Sequence, residues 1–423
     1  MIRVHRLTLP EQLLLRYGAL DSAWKVDHLD VSFAPGGDMY TLGWARLADG
    51  WDSPMCLLVT RYGRDEEPVA AIACGSGKPS EKGRLIRVGP QTHLCAVSDE
   101  MVALSGCSDE TFLIDGELGS VRAGFDGGML PDNRHAGVSF ASAMRRTPAG
   151  RLVCVVAETN IEYSLFATPN LLAIAETRPA VDHRPLLRAF ATVNPHTGKQ
   201  TEIDGREHVL FDGSPVFGDH RPAPSLAESV PRPEERTWMD VHRPPWTTVA
   251  EPLSEDLFVV PLFSRMLRSG NKGMPFAFAL VDDAGKVHGR LEGLDDRADS
   301  PYAGSHFRVA TDPSRGFAYH LNSNGFYVWS REGSLIAKLD IAVKEYKALR
   351  NFQLRACAPN GDIILVHPKQ HLLLRFPIPD RHDPGPAVQE ALRAYSRERT
   401  VLKKSHPQSD WIWRWRPHEL PFS

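Results

Sequence analysis

The sequence predicts an all-β protein, a six-bladed β-propeller with a seven-bladed ring as the alternative, followed by a C-terminal helix and a Trp-rich tail. The clearest evidence is residues 305–341, where four short apolar segments alternate with three turns rich in Gly, Asn and Pro. The segments cover about 306–310, 316–321, 326–329 and 334–340. Four strands joined by tight hairpins within roughly 35–40 residues are typical of one propeller blade.

The same pattern recurs along the chain. A strand, a turn that contains proline and a second strand align at three places, where Pro35, Pro313 and Pro359 occupy the turns. The last two prolines are about 46 residues apart, a spacing typical of blades. Weaker copies fill the remaining chain. The six predicted blades cover about 27–74, 90–127, 138–204, 246–292, 305–341 and 351–378.

This pattern divides the chain into three parts. Residues 1–26 should hold a closing strand and a short helix, 27–380 the propeller, and 381–423 a helix and an aromatic tail. Insertions are predicted near 158–188 and 205–236. The second is rich in proline and mixed charge, so we expect an exposed excursion that contributes no strand.

Both chain ends have a predicted role. An amphipathic helix is expected over 386–404, because Val388, Leu392 and Tyr395 fall on one helical face. The last blade has only three clear strands, and a propeller ring needs a fourth strand there to close. Ile2–Leu9 is preferred over the alternating Trp segment 411–415, because Pro10 and a short predicted helix lead directly from it into the first blade.

Composition excludes several classes of partner. The 423 residues carry a net charge of −3, with a pI near 6.6. This balance lacks the excess of positive charge that is typical of proteins that bind nucleic acids. No run approaches the roughly 18 apolar residues of a membrane span, and the first residues lack the apolar region of a signal peptide. None of the six cysteines forms a CxxC pair. We therefore expect a cytoplasmic protein with reduced thiols that binds neither nucleic acid nor membrane.

Two histidines fall at the same point of two predicted blades. His28 and His306 both lie at the start of the first strand, the strand that lines the central channel of a propeller. Imidazoles that converge from different blades could hold Zn, Cu, Fe or Ni. The aligned positions of the other blades hold no histidine. The prediction is therefore channel-lining histidines and no metal, with a metal at His28 and His306 as the alternative.

The order of strand, Pro turn, strand, turn, strand, acidic-Gly turn and strand resembles the blades of NHL-type and gluconolactonase-type six-bladed propellers over about 350 residues. The resemblance to gluconolactonases implies a divalent cation held by one Glu and by Asn or Asp residues on channel-facing loops. The candidates at suitable positions are Asp27, Asp240, Glu251 and Asn351. No Glu stands at the start of the first blade, where that pattern requires one. No cofactor is predicted, with a divalent metal ion as the alternative.

The tail alternates Trp411, Trp413 and Trp415 with Ile and Arg414. Such a segment either covers the side of the propeller or forms an aromatic anchor for a partner, because Trp and Arg dominate binding hot spots. The sequence contains neither a G-x-S-x-G motif nor a Gly-rich phosphate loop. The leading hypothesis is a non-catalytic interaction platform that binds another protein in a multi-protein system. The alternative is a metal-dependent hydrolase or lyase with its site in the channel.

Overall fold

The computed structural model describes most of the predicted strands. The described residues are 3–6, 24–47, 55–65, 67–76, 93–107, 110–118, 121–126, 138–141, 144–159, 171–175, 206–210, 242–243, 249–264, 274–294, 296–298, 308–367 and 372–405. They form six sheets, all of them antiparallel, and one long helix.

The first two sheets are four-stranded meanders that follow one another along the chain. The first contains β2 (Trp24–Phe33), β3 (Met39–Leu47), β4 (Met55–Tyr62) and β5 (Pro68–Ser76). The second contains β6 (His93–Ser98), β7 (Met101–Cys107), β8 (Glu110–Asp115) and β9 (Val121–Asp126).

In the third and fourth sheets the innermost strand is broken into two short pieces, which pair with the same neighbour. The third contains β10 (Val138–Ala141), β11 (Arg145–Arg146), β12 (Leu152–Thr159), β13 (Leu171–Ala175) and β14 (Arg206–Leu210). The fourth contains β15 (His242–Arg243), β16 (Glu251–Pro252), β17 (Leu257–Ser264), β18 (Met274–Asp282), β19 (Val287–Arg290) and β20 (Asp296–Ala298).

The last two sheets follow the predicted segments closely. The fifth contains β21 (Val309–Asp312), β22 (Phe317–Leu321), β23 (Gly325–Trp329) and β24 (Leu335–Asp340). The sixth contains β25 (Gln353–Cys357), β26 (Asp362–His367) and β27 (Leu372–Pro377), together with β1 (Arg3–Arg6) from the chain start.

The innermost strands of the six sheets contact one another in a closed cycle. β2 contacts β6, β6 contacts β11, β11 contacts β16, β16 contacts β21, β21 contacts β25, and β25 returns to β2. Separate antiparallel sheets whose first strands meet around one axis define a propeller. The predicted fold class is therefore confirmed, and the ring formed by the described residues contains six sheets.

The three aligned prolines lie where the sequence places them. Pro35, Pro313 and Pro359 each occupy the turn between the first and second strands of a sheet. Each turn is closed by a glycine with positive φ, a conformation that L side chains adopt only at a cost. These glycines are Gly37 (98°), Gly316 (70°) and Gly361 (84°).

Two predictions for the third sheet were wrong. Leu171–Ala175, assigned to an insertion at 158–188, is β13, and it pairs with β12. Arg206–Leu210, assigned to the excursion at 205–236, is the outermost strand β14, with Val209 opposite Leu172. An outermost strand pairs along only one edge and tolerates polar residues such as Arg206 and Glu207, so its composition resembles a loop.

The N-terminal strand completes the sixth sheet. β1 pairs antiparallel with β27, with Arg3 opposite Arg375 and Arg6 opposite Leu372. The prediction that the chain start supplies this fourth strand is confirmed. Ring closure therefore pairs the first strand of the chain with a strand of the last repeat.

The hydrophobic core lies between neighbouring sheets, and the C-terminal helix extends it. Helix α1 (Gly385–Ser405) buries Val388, Leu392 and Tyr395, the predicted apolar face, in the cluster shared by the fifth and sixth sheets. It contacts β27 and β1. Its Tyr395 ring meets Phe352 edge-on, with 4.9 Å between the ring centres.

No helix in the described part of the chain is both long enough and apolar enough to span a bilayer. The short helix predicted over 10–17 and the Trp segment lie outside the described residues.

Candidate functional site

Each sheet contributes one ionisable residue to the middle of the propeller. These six side chains, called the central ring below, come from the innermost strands, or in one case from the residue just before such a strand. Each residue is no more than 9% exposed. The central ring consists of Asp30, His93, Arg145, Glu251, Arg308 and Arg355.

Asp30 joins four of the six sheets. Its Oδ1 accepts a hydrogen bond from Nη1 of Arg308 in the fifth sheet, at 2.8 Å. Its Oδ2 accepts from Nη2 of Arg145 in the third sheet at 3.2 Å, and from the Leu94 amide of the second sheet at 3.1 Å. Oδ1 also accepts from the amide of Val31 in its own strand. A carboxylate with this many donors is a structural junction between sheets.

Arg145 extends the network to the fourth sheet. Its Nε donates to Glu251 Oε1 at 2.8 Å, and its Nη1 donates to the backbone carbonyls of Leu94 and Met144. With the bond to Asp30, this guanidinium has carboxylate or carbonyl partners on all three nitrogens. Arg145 is therefore fixed in position by three sheets.

His93 is neutral, and its tautomer follows from its neighbour. Nη2 of Arg308 lies 3.0 Å from Nδ1 of His93, closer than the 3.4 Å that separates this nitrogen from Asp30 Oδ2. Because a guanidinium can only donate, Nδ1 accepts this hydrogen bond and the proton resides on Nε2. Burial, with the positive charge of Arg308, lowers the pKa of His93 to about 3. The ring is thus uncharged at neutral pH.

The two carboxyl groups of the central ring differ in acidity. Burial alone would raise the pKa of Asp30, but Arg145 and Arg308 hold it well below its usual value. Burial raises the pKa of Glu251, and Arg145 offsets only part of this effect. Asp30 is therefore a firmly ionised ion-pair partner and a poor proton acceptor.

Arg355 adds a third cation. Its Nη2 donates to Gln353 Oε1 on the same strand. Burial, followed by repulsion from Arg308, lowers the pKa of Arg355 to about 9. The centre therefore holds two guanidiniums whose positive charges oppose one another.

The sequence-predicted channel residues separate into distinct environments. Glu251 belongs to the central ring through its ion pair with Arg145. Asn351 lies exposed at the end of a 3-10 helix, Lys347–Asn351. Asp27 and His28 lie in β2, but the structure does not describe their side chains.

The remaining candidates lie outside the described residues: Asp240, His306, Trp411, Trp413, Arg414 and Trp415. In the part of the chain that the structure describes, no three His, Cys, Asp or Glu side chains are grouped closely enough to hold a metal ion. Cys95 lies beside the central ring as a free thiol. Burial raises its pKa to about 12, so it is not a nucleophile at neutral pH.

Sequence reasoning found Glu251 and missed the other five members of the central ring. The sequence nevertheless contains one indication of the pairing between Asp30 and Arg308. Asp30 and Arg308 each stand five residues before a turn proline, in the same frame that aligned His28 with His306. Opposite charges at equivalent positions of two repeats predict an ion pair across the channel.

A second set of polar contacts joins neighbouring sheets at one end of the propeller. The strands of a meander alternate in direction, so the first and third turns of every sheet lie at the same end. The surface formed by these turns is called the turn face below. There, the Gly36 amide of the first sheet donates to Asp99 of the second at 2.6 Å. Arg331 of the fifth sheet pairs with Asp256 of the fourth at 3.1 Å.

The densest of these contacts joins the third and fourth sheets. Glu255 accepts hydrogen bonds from the Thr147 hydroxyl, the Ala149 amide and Nε of Arg151. Burial alone would raise the pKa of Glu255, but the hydrogen bond from the Ala149 amide and those from the two side chains lower it. Hydrogen bonds and ion pairs between the turns of neighbouring sheets restrict the movement of these turns.

Comparison with known proteins identifies no family. No protein-family model matches the chain, and no curated protein matches it. The chain is similar to the solved WD40 domain of Neurospora crassa Pan2, with 9% identity, coverage of 84% of this chain and 90% of that one, and a TM-score of 0.36.

Two further solved structures are similar to the same degree. The β-propeller domain of Myceliophteria thermophila Cps50 (Swd1) gives 11% identity, coverage of 83% and 98%, and a TM-score of 0.35. BamB from Moraxella catarrhalis gives 8% identity, coverage of 89% and 99%, and a TM-score of 0.33. With sequence identities and TM-scores this low, these similarities support no conclusion about function.

Proposed function

We propose that the protein is a non-catalytic interaction platform, a rigid propeller that binds another protein within a multi-protein system. The observation that supports this proposal is the set of hydrogen bonds that the Asp30 carboxylate accepts in the central ring. Its two oxygens accept hydrogen bonds from two arginines and two backbone amides. A carboxylate held in this way stabilises the ring of sheets and is not available as a general base.

The turn face is the surface we propose for the partner. Its hydrogen bonds and ion pairs between neighbouring sheets limit movement of the turns, so little conformational entropy would be lost on binding. Charged groups dominate it: Arg61 is bridged to Asp38 at 2.7 Å and to the exposed Glu117 at 2.8 Å. Large apolar side chains are rarely exposed in the described part of the chain. Binding would therefore depend on charge complementarity and on salt concentration.

The aromatic tail is a second proposed contact. Trp411, Trp413, Trp415 and Arg414 combine residue types that dominate hot spots of protein interfaces. These residues follow α1 in the sequence, and α1 contacts β27 and β1 of the sixth sheet. A partner that uses both surfaces would gain affinity through effective concentration.

The test is quantitative capture of partners by the tagged full-length protein, followed by reconstitution of the complex with the purified partner. Two charge reversals on the turn face, Glu117→Lys and Arg331→Glu, should weaken the complex at least ten-fold by calorimetry. Glu345→Lys, at an exposed position in the connection that follows β24, is the matched control and should leave the affinity unchanged.

Two results would contradict the proposal. One is a complex that is equally tight with both turn-face reversals and with the three tryptophans changed to alanine. The other is substrate turnover by the purified protein that disappears in Glu251→Gln while the fold is retained, which would establish a catalytic centre in the channel.

A further inference from the structure

Arg308 is buried with most of its hydrogen-bonding capacity unused. The residue is 7% exposed, and its guanidinium donates to Asp30 through Nη1 and to His93 through Nη2. A guanidinium carries five N–H groups. The remaining three have no acceptor among the described residues. A guanidinium donates strongly to anionic acceptors, so these N–H groups are where we expect such an acceptor to bind.

A second guanidinium lies on the adjacent innermost strand. Arg355 belongs to β25, which contacts β21, the strand that Arg308 precedes. Repulsion from Arg308 contributes to the lowered pKa of Arg355. Like charges buried on neighbouring strands destabilise one another, and a negative charge between them would relieve that repulsion.

The charges of the central ring limit what such a ligand can be. Three guanidiniums accompany the carboxylates of Asp30 and Glu251, and His93 is neutral. A single negative charge would bring these six residues to neutrality. A multiply charged ion would be repelled by the two carboxylates at close range.

His93 provides one more donor in the same centre. Its Nε2, which carries the proton, is buried and has no hydrogen-bond partner among the described residues. The centre thus has unused N–H donors on two side chains that are each more than nine-tenths buried.

We propose that the central ring binds a small monovalent anion, such as chloride or formate, against Arg308 on the side of Arg355. The anion accepts hydrogen bonds from the unused N–H groups of Arg308 and completes the central ring. It stabilises the closed propeller by binding only to the folded state. This site is independent of the proposed platform function, and either proposal can fail without the other.

Bromide is the direct probe. Crystals of the wild-type protein grown in 200 mM sodium bromide should show an anomalous peak within hydrogen-bonding distance of Arg308. If Arg308 is ordered and no peak lies beside it, or if bromide binds only at the surface, the proposal is wrong. This measurement needs no variant and so does not depend on the tolerance of the centre to mutation.

Stability in solution gives the second test. At constant ionic strength, replacement of gluconate, a much larger anion, by chloride should raise the melting temperature of the wild type in a saturable way. The rise should persist in Arg331→Gln, which removes an arginine from the turn face, and should be lost in Arg355→Gln. An equal rise in melting temperature in all three proteins would show a general salt effect and would overturn the proposal.

Discussion

Asp30 and Arg145 are 115 positions apart in the sequence, yet Arg145 Nη2 lies 3.2 Å from Asp30 Oδ2 in the middle of the propeller. The first sheet and the third sheet are not neighbours in the ring. Their ion pair therefore spans the centre and does not follow the rim. The contact links two sheets that are not adjacent, so it couples the stability of one sheet to that of the other.

Asp30→Asn should destabilise the protein severely. The substitution keeps the shape of the side chain but leaves Arg308 buried without a carboxylate partner and Arg145 with Glu251 alone. Breaking a buried ion pair from one side costs about 3–5 kcal/mol. The free energy of unfolding from urea titration is the measurement. Asp256→Asn, which removes the partner of Arg331 on the turn face, is the control and should cost no more than about 1 kcal/mol. Equal losses would show that the central ring contributes no more than a surface pair.

His93 should make the free energy of unfolding depend on pH below about 6.5. Its pKa in the folded state is about 3, well below the roughly 6.5 of an unfolded chain. Between these values the unfolded state binds the proton and the folded state does not. Stability should therefore fall as the pH decreases through this range, by up to about 1.4 kcal/mol per pH unit. Asp30, whose pKa is also lowered, loses its contribution only below about pH 4.

His93→Asn isolates this effect, because the Asn carbonyl can still accept the hydrogen bond from Arg308. The stability difference between wild type and variant should shrink as the pH falls from 7 to 4. His288→Gln alters a histidine on β19 that is paired with Asp282 and partly exposed, and it serves as the matched control. A stability difference that stays constant over this pH range would show that His93 is not held neutral.

The sequence predicted the repeats well because strand spacing and turn chemistry are local. The segments expected at 306–310, 316–321, 326–329 and 334–340 correspond to β21–β24 within a few residues. Tight turns need Pro and Gly at fixed positions, and these residues are visible in a single sequence. The prediction was wrong at β14, where a polar outermost strand follows a long connection and carries no local strand signal.

The central ring was harder to predict because its pairing is not local. Charged residues are rarely buried, so the sequence around Arg145 does not place it in the core, and Arg308 is indicated only by its alignment with Asp30. Their partners are brought together only by closure of the ring. Glu251 was identified because a resemblance directed attention to carboxylates near the channel, and its ion-pair partner is Arg145.

Tyr395→Ala should weaken the packing of α1 against the propeller and lower the melting temperature. The ring lies 4.9 Å from Phe352 and 6.0 Å from His367, measured between centres, and it is 4% exposed. Removal of a buried aromatic ring costs about 3–5 kcal/mol. Arg397→Ala, at an exposed position on the same helix, should cost less than about 0.5 kcal/mol. Thermal unfolding compares the two. Similar melting temperatures would mean that α1 does not stabilise the propeller.

Limited proteolysis should cut first between residues 211 and 236. The segment is rich in proline and charge, and such a composition cannot offset an ordering entropy of about 1–2 kcal/mol per residue. Mass spectrometry of the first fragments identifies the site. A first cut within any of the six sheets would contradict this prediction. The observed strand β14 narrows the expected segment from 205–236 to the part that follows Leu210.

Deletion of residues 1–9 should lower the melting temperature sharply and promote aggregation. The deletion removes β1, which covers the outer edge of β27 through four paired residues, Arg3 to Arg6. An uncovered edge presents unpaired N–H and C=O groups to other chains. The helix α1 also loses a strand that it contacts. Scanning fluorimetry and light scattering measure the two effects. Removal of residues 406–423 is the control, because β1 and β27 remain paired in that variant. If the N-terminal truncation melted like the full chain, the pairing of β1 with β27 would not be what keeps the ring closed.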